Sequence, residues 1–290
     1  MDEKRVQVLT GASNQSTSIM ARNYARHSRH SVSVDQIKTW KFDASNPPDV
    51  IIYITVAWIR GVYPFMAEHP EIKYFMSVQD IAGYRKGIWF KKTNNELLEK
   101  LSGLLIVGEH LIDVCRKYTD NVKLFNCEVG VDLDLFKRKP KPETFVVGIS
   151  EKLRKCQMNI YERFLKYPYE KRTSCIGIGT GRPYTDMPAF YEGISTLIDP
   201  TNDPRPGGMM FLEAGAVGRP SIAMKRGILA KWFPEELLAK DDDEVVSLLH
   251  RLHDDQRFYD WAADEWYNVA LSRSYEVFAR EWDDAIDSAY

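Results

Sequence analysis

Apolar residues fall into short runs separated by mixed segments, a pattern that predicts strands alternating with helices. Residues 50–55 are apolar without alternation, as expected for a strand buried on both faces of a parallel sheet. Residues 6–10 form a second run that ends at Gly11, and residues 14–27 follow with helical composition. Further strands are predicted at 32–34, 74–78, 104–107 and 123–126, with helices at 93–100 and 109–118.

The same pattern restarts after residues 137–143 (KRKPKPE), whose charges and two prolines are typical of an interdomain linker. Strands are predicted at 145–149, 174–179, 195–199 and 221–224, and helices at 159–167, 187–192, 208–217, 243–252, 257–270 and 275–289. The chain is therefore predicted to be α/β, with two Rossmann-like, doubly wound domains over 1–139 and 140–272 and a cleft between them. Ligands bind at the carboxyl ends of such sheets.

Composition narrows the class of protein. With 44% hydrophobic and 28% charged residues, the chain is an ordinary globular protein, and disordered or low-complexity classes are excluded. We expect no transmembrane segment and no signal peptide, and hence a cytoplasmic protein. The four cysteines are scattered, which favours buried free thiols over a disulfide framework. The oligomeric state is not predictable from these features.

Charge is unevenly distributed along the chain. Residues 1–240 carry 35 basic and 27 acidic side chains, whereas residues 241–290 carry 4 basic and 14 acidic ones. A solvated helical face would explain the acidic end, and a basic body also suits an anionic ligand.

Residues 199–223 (DPTNDPRPGGMMFLEAGAVGRPSIA) carry the most chemical information. A strand ends at Asp199, Gly207 and Gly208 open a helix, and Glu213 lies about one and a half turns into it. The free N–H groups of the first helical turn suit a phosphate, and a carboxylate further along suits the hydroxyls of an attached sugar. A glycine-flanked structural helix with an exposed Glu213 is the alternative.

Four segments in order, NCEVGVDLDLF (126–136), VVGISEKLRK (146–155), MPAFYEGISTLIDP (187–200) and PGGMMFLEAGAVGRPSIA (206–223), resemble the retaining glycosyltransferases of family 4. The resemblance covers nearly the whole chain. It implies the GT-B fold and metal-independent transfer of a hexose or related sugar from a nucleotide-diphosphate sugar, with UDP or GDP as the nucleotide, and no further cofactor. It also implies that residues 273–290 form a closing helix that packs back on the N-terminal, acceptor-binding domain.

The resemblance assigns roles at the donor. Glu213 would hold the ribose, Gly208 and Met209 would contact the diphosphate through their backbone, and Lys155 would neutralise the departing diphosphate. The neighbouring Lys152 and Arg154 fit the same cation cluster or a solvated helix entry. The implied donor site comprises Gly11, Lys152, Arg154, Lys155, Gly207, Gly208, Met209 and Glu213.

Three positions depart from the family pattern. Arg205 occupies the place of the first Glu of the family's Glu-x7-Glu motif, and Ser150 replaces an Arg. Arg205 is therefore expected either to restore the lost diphosphate contact or to bind an acidic group on the donor. Gln79 replaces a His that contacts the donor sugar; a Gln cannot transfer a proton but can hydrogen-bond a hydroxyl. Glu213, Lys155, Arg205 and Gln79 are thus the predicted catalytic residues.

Acceptor contacts are predicted in the N-terminal domain. Asn14 and Gln15 follow the first strand, although Asn14 also suits a helix cap. Asp80 and His110 follow later strands, and each also has a structural interpretation. The sequence does not identify the acceptor, which could be a glycan, a lipid or a small molecule. A modified DNA base is the less favoured alternative.

The sequence thus predicts a glycosyltransferase. A non-catalytic nucleotide-sugar or glycan-binding module on the same scaffold is the alternative, motivated by the three departures. A sugar-nucleotide epimerase or a phosphorylase sharing the fold is the third possibility.

Overall fold

The computed structural model describes residues 2–11, 16–54, 59–78, 98–117, 119, 121–149, 158–173, 183–199, 208–225 and 227–290. The chain divides into two compact units, the first formed by Met1–Val129 with Tyr275–Tyr290 and the second by Gly130–Ser274. Each unit is built on its own parallel sheet.

Among its described residues, the first unit contains six strands in the order β2-β1-β3-β4-β5-β6, all parallel. Its central strand β3 is buried at every position, as the unbroken apolar run predicts. The strands are β1 (Arg5–Thr10), β2 (Ser31–Gln36), β3 (Val50–Tyr53), β4 (Lys73–Val78), β5 (Gly103–Ile106) and β6 (Leu124–Asn126). Over the described residues up to 129, its helices are α1 (Ser16–His27), α2 (Ile59–Glu68) and α3 (Glu109–Arg116).

The described part of the second unit has five parallel strands in the order β11-β10-β9-β7-β8. They are β7 (Val146–Ile149), β8 (Glu170–Thr173), β9 (Thr196–Asp199), β10 (Ser221–Met224) and β11 (Leu238–Ala239). The helices that the structure describes in this unit are α4 (Met158–Lys166), α5 (Met187–Glu192), α6 (Met209–Ala216), α7 (Leu229–Trp232), α8 (Asp242–Asp254) and α9 (Gln256–Ser272), with 3₁₀ turns at Tyr184–Asp186 and Glu235–Leu237.

Two elements, one strand and one helix, have sequences that do not predict them. Strand β8 reads EKRT and alternates between exposed and half-buried positions at the sheet edge, so its sequence does not resemble a strand core. The predicted strand at 174–179 lies outside the described residues. Helix α2 contains Pro64, a residue that normally argues against a helix interior.

The last helix, α10 (Tyr275–Asp287), belongs to the first unit and packs against α1. Asp283 is only 2% exposed. Its carboxylate accepts hydrogen bonds from the hydroxyls of Tyr24 (2.8 Å) and Ser28 (2.7 Å) and from the backbone N–H of Arg29 (2.9 Å). Arg29 also pairs with Asp284 and Asp287. Part of the acidic C-terminal segment therefore binds α1 and the residues that follow it, including the cation of Arg29.

Two simpler expectations concern cysteines and membranes. Cys115 and Cys127 are buried free thiols, and burial raises the pKa of Cys115 to about 11. Cys156 and Cys175 lie outside the described residues. Within the described part of the chain, every helix is too short or too polar to cross a membrane.

Replacement of Asp283 tests this attachment. Asp283→Ala leaves one buried donor, the Tyr24 hydroxyl, and two part-buried donors without their acceptor, so we expect the free energy of unfolding to fall by about 2–4 kcal/mol. The matched control Asp284→Ala removes only an exposed partner of Arg29 and should cost about 1 kcal/mol or less. Urea denaturation of both variants measures the difference, and equal losses would contradict the assigned role of Asp283.

Candidate functional site

Helix α6 of the second unit begins at the carboxyl edge of the sheet, beyond residues 200–207, which are outside the described part. Gly208 caps the helix, and its carbonyl accepts hydrogen bonds from the N–H groups of Phe211 (3.2 Å) and Leu212 (3.1 Å). The N–H groups of Met209 and Met210 therefore precede the first intrahelical bonds and are oriented toward the helix entrance. This is the geometry in which a helix start binds an anion.

Close packing fixes α6 in place. All residues from Phe211 to Ala216 are buried, and a Cβ at Gly215 would lie 2.5 Å from the carbonyl oxygen of Trp266 in α9. A side chain at Gly215 would thus push the two helices apart. At the other end Gly218 has a φ of 79°, which favours glycine and turns the chain into β10.

Glu213 is the most unusual residue of this helix, because its carboxylate is buried and only 4% exposed. One oxygen, Oε1, accepts a hydrogen bond from the Tyr184 hydroxyl at 2.6 Å, and the other, Oε2, accepts one from Tyr191 at 2.7 Å. Burial raises the pKa of Glu213, and the two tyrosine hydrogen bonds oppose that shift. The alternative interpretation, a structural helix with an exposed Glu213, is therefore wrong about the exposure of this side chain.

The two tyrosines differ in exposure. Tyr191 is fully buried in α5, whereas Tyr184 is half-buried in the 3₁₀ turn before it. The Phe136 ring contacts both, with centroid distances of 5.7 Å to Tyr184 and 5.9 Å to Tyr191. Phe136 itself follows a turn in which the Asp132 carboxylate accepts the N–H groups of Asp134 and Leu135. The segment that ends in Phe136 thus supports the Glu213 site directly.

Arg219 holds the backbone around this site. It is 1% exposed, and its guanidinium donates to the carbonyls of Lys139 (2.9 Å), Pro140 (2.7 Å) and Tyr191 (3.1 Å). Burial lowers its pKa. Part of the predicted linker, residues 137–143, is therefore tied to the second unit.

The predicted site residues fall into three groups. Gly208, Met209 and Glu213 lie together on α6. Gly11 and His110 lie in the first unit, Gly11 after β1 and His110 in the first turn of α3. The remaining predictions lie outside the described residues: Asn14, Gln15, Gln79, Asp80, Lys152, Arg154, Lys155, Arg205 and Gly207, together with Ser150.

Sequence reasoning missed Tyr184, Tyr191, Phe136 and Arg219. The first two appear in a tyrosine-bearing stretch around α5, but their contacts with Glu213 depend on tertiary packing. In the described ranges, there is no group of three or more His, Cys, Asp or Glu residues placed to hold a metal ion, and metal independence stays a prediction.

No protein-family profile matches the sequence, and no curated protein matches it. Solved structures do match. Anabaena HepE in complex with UDP-glucose gives a TM-score of 0.73 at 13% identity over 99% of this chain and 100% of that one. Sucrose-phosphate synthase from Thermosynechococcus elongatus gives 0.72 at 11% identity over 99% of each chain. T4 phage BGT in complex with UDP and Mn²⁺ gives 0.56 at 10% identity over 98% and 99%.

These neighbours are GT-B glycosyltransferases, and the likeness extends over the full length of the chain. With its two parallel α/β units, the chain has this two-domain, Rossmann-like fold. The predicted fold class is confirmed.

The two tyrosines are expected to contribute unequally to stability. Tyr191→Phe leaves a fully buried carboxylate oxygen without its donor and should lower the free energy of unfolding by about 1.5–3 kcal/mol. Tyr184→Phe should cost less, about 0.5–1.5 kcal/mol, because water can replace a half-buried hydroxyl. Urea denaturation of the two variants compares them, and a larger loss in Tyr184→Phe would contradict this assignment.

Burial of Glu213 also predicts a pH dependence. Because the folded-state pKa is raised, the folded protein binds this proton more tightly than the unfolded chain. The stability contributed by protonated Glu213 is present below the unfolded pKa of about 4.3 and is lost as the pH rises through the folded pKa.

Glu213→Gln removes this titration. The difference in unfolding free energy, wild type minus variant, should therefore fall over that pH window and be constant above it. Denaturation series at several pH values measure the difference, and a difference that rises with pH would show that the hydrogen bonds outweigh burial.

Proposed function

We propose that this protein is a glycosyltransferase that moves a hexose, or a related sugar, from a nucleotide-diphosphate sugar to an acceptor with retention of configuration. The proposal includes membership of the retaining family 4 that the sequence resembles. The observation that carries it is the buried carboxylate of Glu213, held behind the start of α6. Burying a charged carboxylate costs free energy, and a role in ligand binding explains why Glu213 lies at this buried position.

Hydrogen-bond capacity supports a ribose at Glu213. An ionised carboxylate has about four lone-pair sites, and the tyrosine hydroxyls use one on each oxygen. The remaining capacity matches the two hydroxyls of a ribose diol. Tyr191 approaches from the core and Tyr184 from the more exposed side, so the ligand is expected to enter beside Tyr184.

The start of α6 suits the diphosphate. The N–H groups of Met209 and Met210 and the positive end of the helix dipole precede Glu213 by about one turn. In this proposal Lys155 and Arg205 supply the cations that stabilise the leaving diphosphate, with Lys152 and Arg154 beside them. Gln79 and Gly11 contact the transferred sugar and donor from the N-terminal domain.

UDP is the nucleotide that we favour. HepE structures are described in complex with UDP, with UDP and glucose and with UDP-glucose, and T4 phage BGT in complex with UDP. Since the same fold accommodates UDP in these neighbours, it is the first nucleotide to test, with GDP as the comparison. Metal-independent transfer and a cytoplasmic location complete the proposal.

A cycle of variants and nucleotides tests the ribose contact. Glu213→Gln should weaken UDP binding about 10- to 100-fold, the equivalent of losing hydrogen bonds to a charged group. It should change the binding of 2′,3′-dideoxy-UDP far less, because that ligand lacks the diol. Glu192→Gln, an exposed carboxylate on α5 that pairs with Lys139, is the matched control. Isothermal titration calorimetry measures all six affinities, and equal losses for both nucleotides would contradict the proposed ribose contact.

Turnover distinguishes the remaining alternatives. Release of UDP from UDP-sugars only with an acceptor, and a product of unchanged anomeric configuration by NMR, is the expected result in the presence of EDTA. Binding without turnover across a broad acceptor panel would instead identify a non-catalytic binding module. Donor conversion without acceptor would identify an epimerase, and dependence on inorganic phosphate a phosphorylase.

A further inference from the structure

The Glu213 carboxylate is enclosed by the two side chains that donate hydrogen bonds to it. Glu213 is only 4% exposed, with the Tyr184 hydroxyl 2.6 Å from Oε1 and the Tyr191 hydroxyl 2.7 Å from Oε2. Each oxygen has a further lone pair, but a ribose hydroxyl reaches neither of them unless a neighbouring group moves. Binding of a ribose at Glu213 therefore requires one wall of this site to open.

Tyr191 is anchored on several sides. It is fully buried in α5, and its carbonyl accepts a hydrogen bond from Nε of Arg219 at 3.1 Å. Its ring contacts the rings of Phe136 and Phe190, with centroid distances of 5.9 Å and 5.1 Å. Movement of this ring would leave a gap in a closely packed core, which is costly. Tyr191 is therefore the fixed partner of Glu213.

Tyr184 lies on the outer side of the same carboxylate. It begins the 3₁₀ turn Tyr184–Asp186 that precedes α5, and its side chain is half-buried. The Phe136 ring contacts it edge-on, with a centroid distance of 5.7 Å and an interplanar angle of 70°. A partly exposed side chain changes its rotamer without opening a gap in the core. Rotation of Tyr184 is thus the smallest movement that uncovers Oε1 of Glu213.

A ribose hydroxyl is a chemical match for the tyrosine hydroxyl that it would replace. Both groups donate an O–H to a carboxylate oxygen, and a buried carboxylate that loses a donor without replacement is destabilised. When the diol of a ribose arrives, Oε1 exchanges one O–H donor for another and Oε2 keeps its bond to Tyr191. A nucleotide without the diol brings no replacement donor, so it gives Tyr184 no reason to leave.

We propose that Tyr184 is a displaceable placeholder for a ribose hydroxyl. Its hydroxyl caps Glu213 in the absence of nucleotide, rotates out when the diol binds and returns to the carboxylate as the nucleotide leaves. This role rests on the proposed function, because it presupposes that Glu213 binds the ribose. Tyr184 then acts through Glu213 and not on the reacting atoms, and by competing with the bound nucleotide it speeds the release of the nucleotide product.

Tyr184→Phe removes the competing hydroxyl and keeps the ring. UDP binding breaks the Tyr184 hydrogen bond in the wild type but has none to break in the variant. UDP should therefore bind the variant about 2- to 12-fold more tightly, the affinity equivalent of the stability that this substitution removes. The affinity for 2′,3′-dideoxy-UDP should be the same in both proteins. Isothermal titration calorimetry measures the four affinities, and equal or weaker UDP binding by Tyr184→Phe overturns the proposal.

The rate of UDP release tests the second part of the proposal. Since affinity differences between variants of one site appear mostly in the dissociation rate constant, UDP should leave Tyr184→Phe more slowly, by about the same factor. Surface plasmon resonance with immobilised protein measures this rate constant. An unchanged or faster dissociation would contradict a role of Tyr184 in product release.

Two other tyrosines of the second unit are the controls. Tyr191→Phe removes a hydrogen bond that is present before and after UDP binds, so it should not tighten UDP binding. Tyr267 is a half-buried tyrosine of α9 whose ring lies against the Arg138 guanidinium, and Tyr267→Phe should bind UDP as the wild type does. Tighter UDP binding in either control would show that the effect is not specific to Tyr184, and the assignment would be rejected.

Fluorine NMR observes the rotation itself. The protein is labelled with 3-fluorotyrosine, and Tyr184→Phe identifies the Tyr184 signal by its loss. Saturating UDP should increase the H₂O/D₂O isotope shift of that signal, because the ring moves from the carboxylate toward solvent. An isotope shift that stays the same or decreases would mean that Tyr184 keeps its place in the complex, against the proposal.

The combined outcomes separate this inference from the proposed function. If Glu213→Gln weakens UDP selectively but Tyr184→Phe does not tighten it, the ribose contact stands and the placeholder role alone fails. If the wild type binds neither UDP nor GDP, the ribose contact fails and the placeholder role fails with it.

Discussion

A single buried guanidinium, that of Arg219, is the constraint on which the second unit depends. Its hydrogen bonds to the carbonyls of Tyr191 and of the adjacent Lys139 and Pro140 join three segments that are far apart in sequence, counting that of Arg219 itself. A buried cation tolerates only an environment that satisfies its donors, so these segments have little freedom to move independently. Because Tyr191 is one of the three, the same constraint orients the hydroxyl that holds Glu213. Arg219 thus stabilises both the fold of the second unit and the position of the Glu213 carboxylate.

The sequence allowed the two α/β units and the position of Glu213 to be predicted, because both depend on local patterns. Apolar runs identify buried strands, and paired glycines identify the start of α6. The partners of Glu213 could not be predicted in this way, since Tyr184 and Tyr191 lie 29 and 22 residues from it and meet it only in the folded chain. Strand β8 was missed because an edge strand requires backbone pairing and not apolar side chains.

Charge counting revealed an acidic C-terminal segment but not its role. A solvated helical face accounts for part of it, as Asp284 and Glu276 are largely exposed. Asp283 is different, because its carboxylate is buried among three donors of the first unit. Net charge describes solubility and long-range attraction, whereas the effect of one carboxylate depends on which donors surround it. The same contrast separates the exposed Glu192 from the buried Glu213.

The return of α10 to the first unit makes the second unit an insertion between two parts of the first. The two ends of this insertion are joined, since Val131 bridges to Ser274 and its N–H donates to the carbonyl of Arg273 at 2.9 Å. During synthesis on the ribosome, translation of the second unit ends at Ser274, before the last residues of the first unit are added. The first unit can complete its fold only after residues 275–290 are translated. The hydrogen bond between Tyr24 and Asp283 therefore forms only late in synthesis. An excised fragment of residues 130–274 is continuous, whereas the first unit would need its two pieces fused.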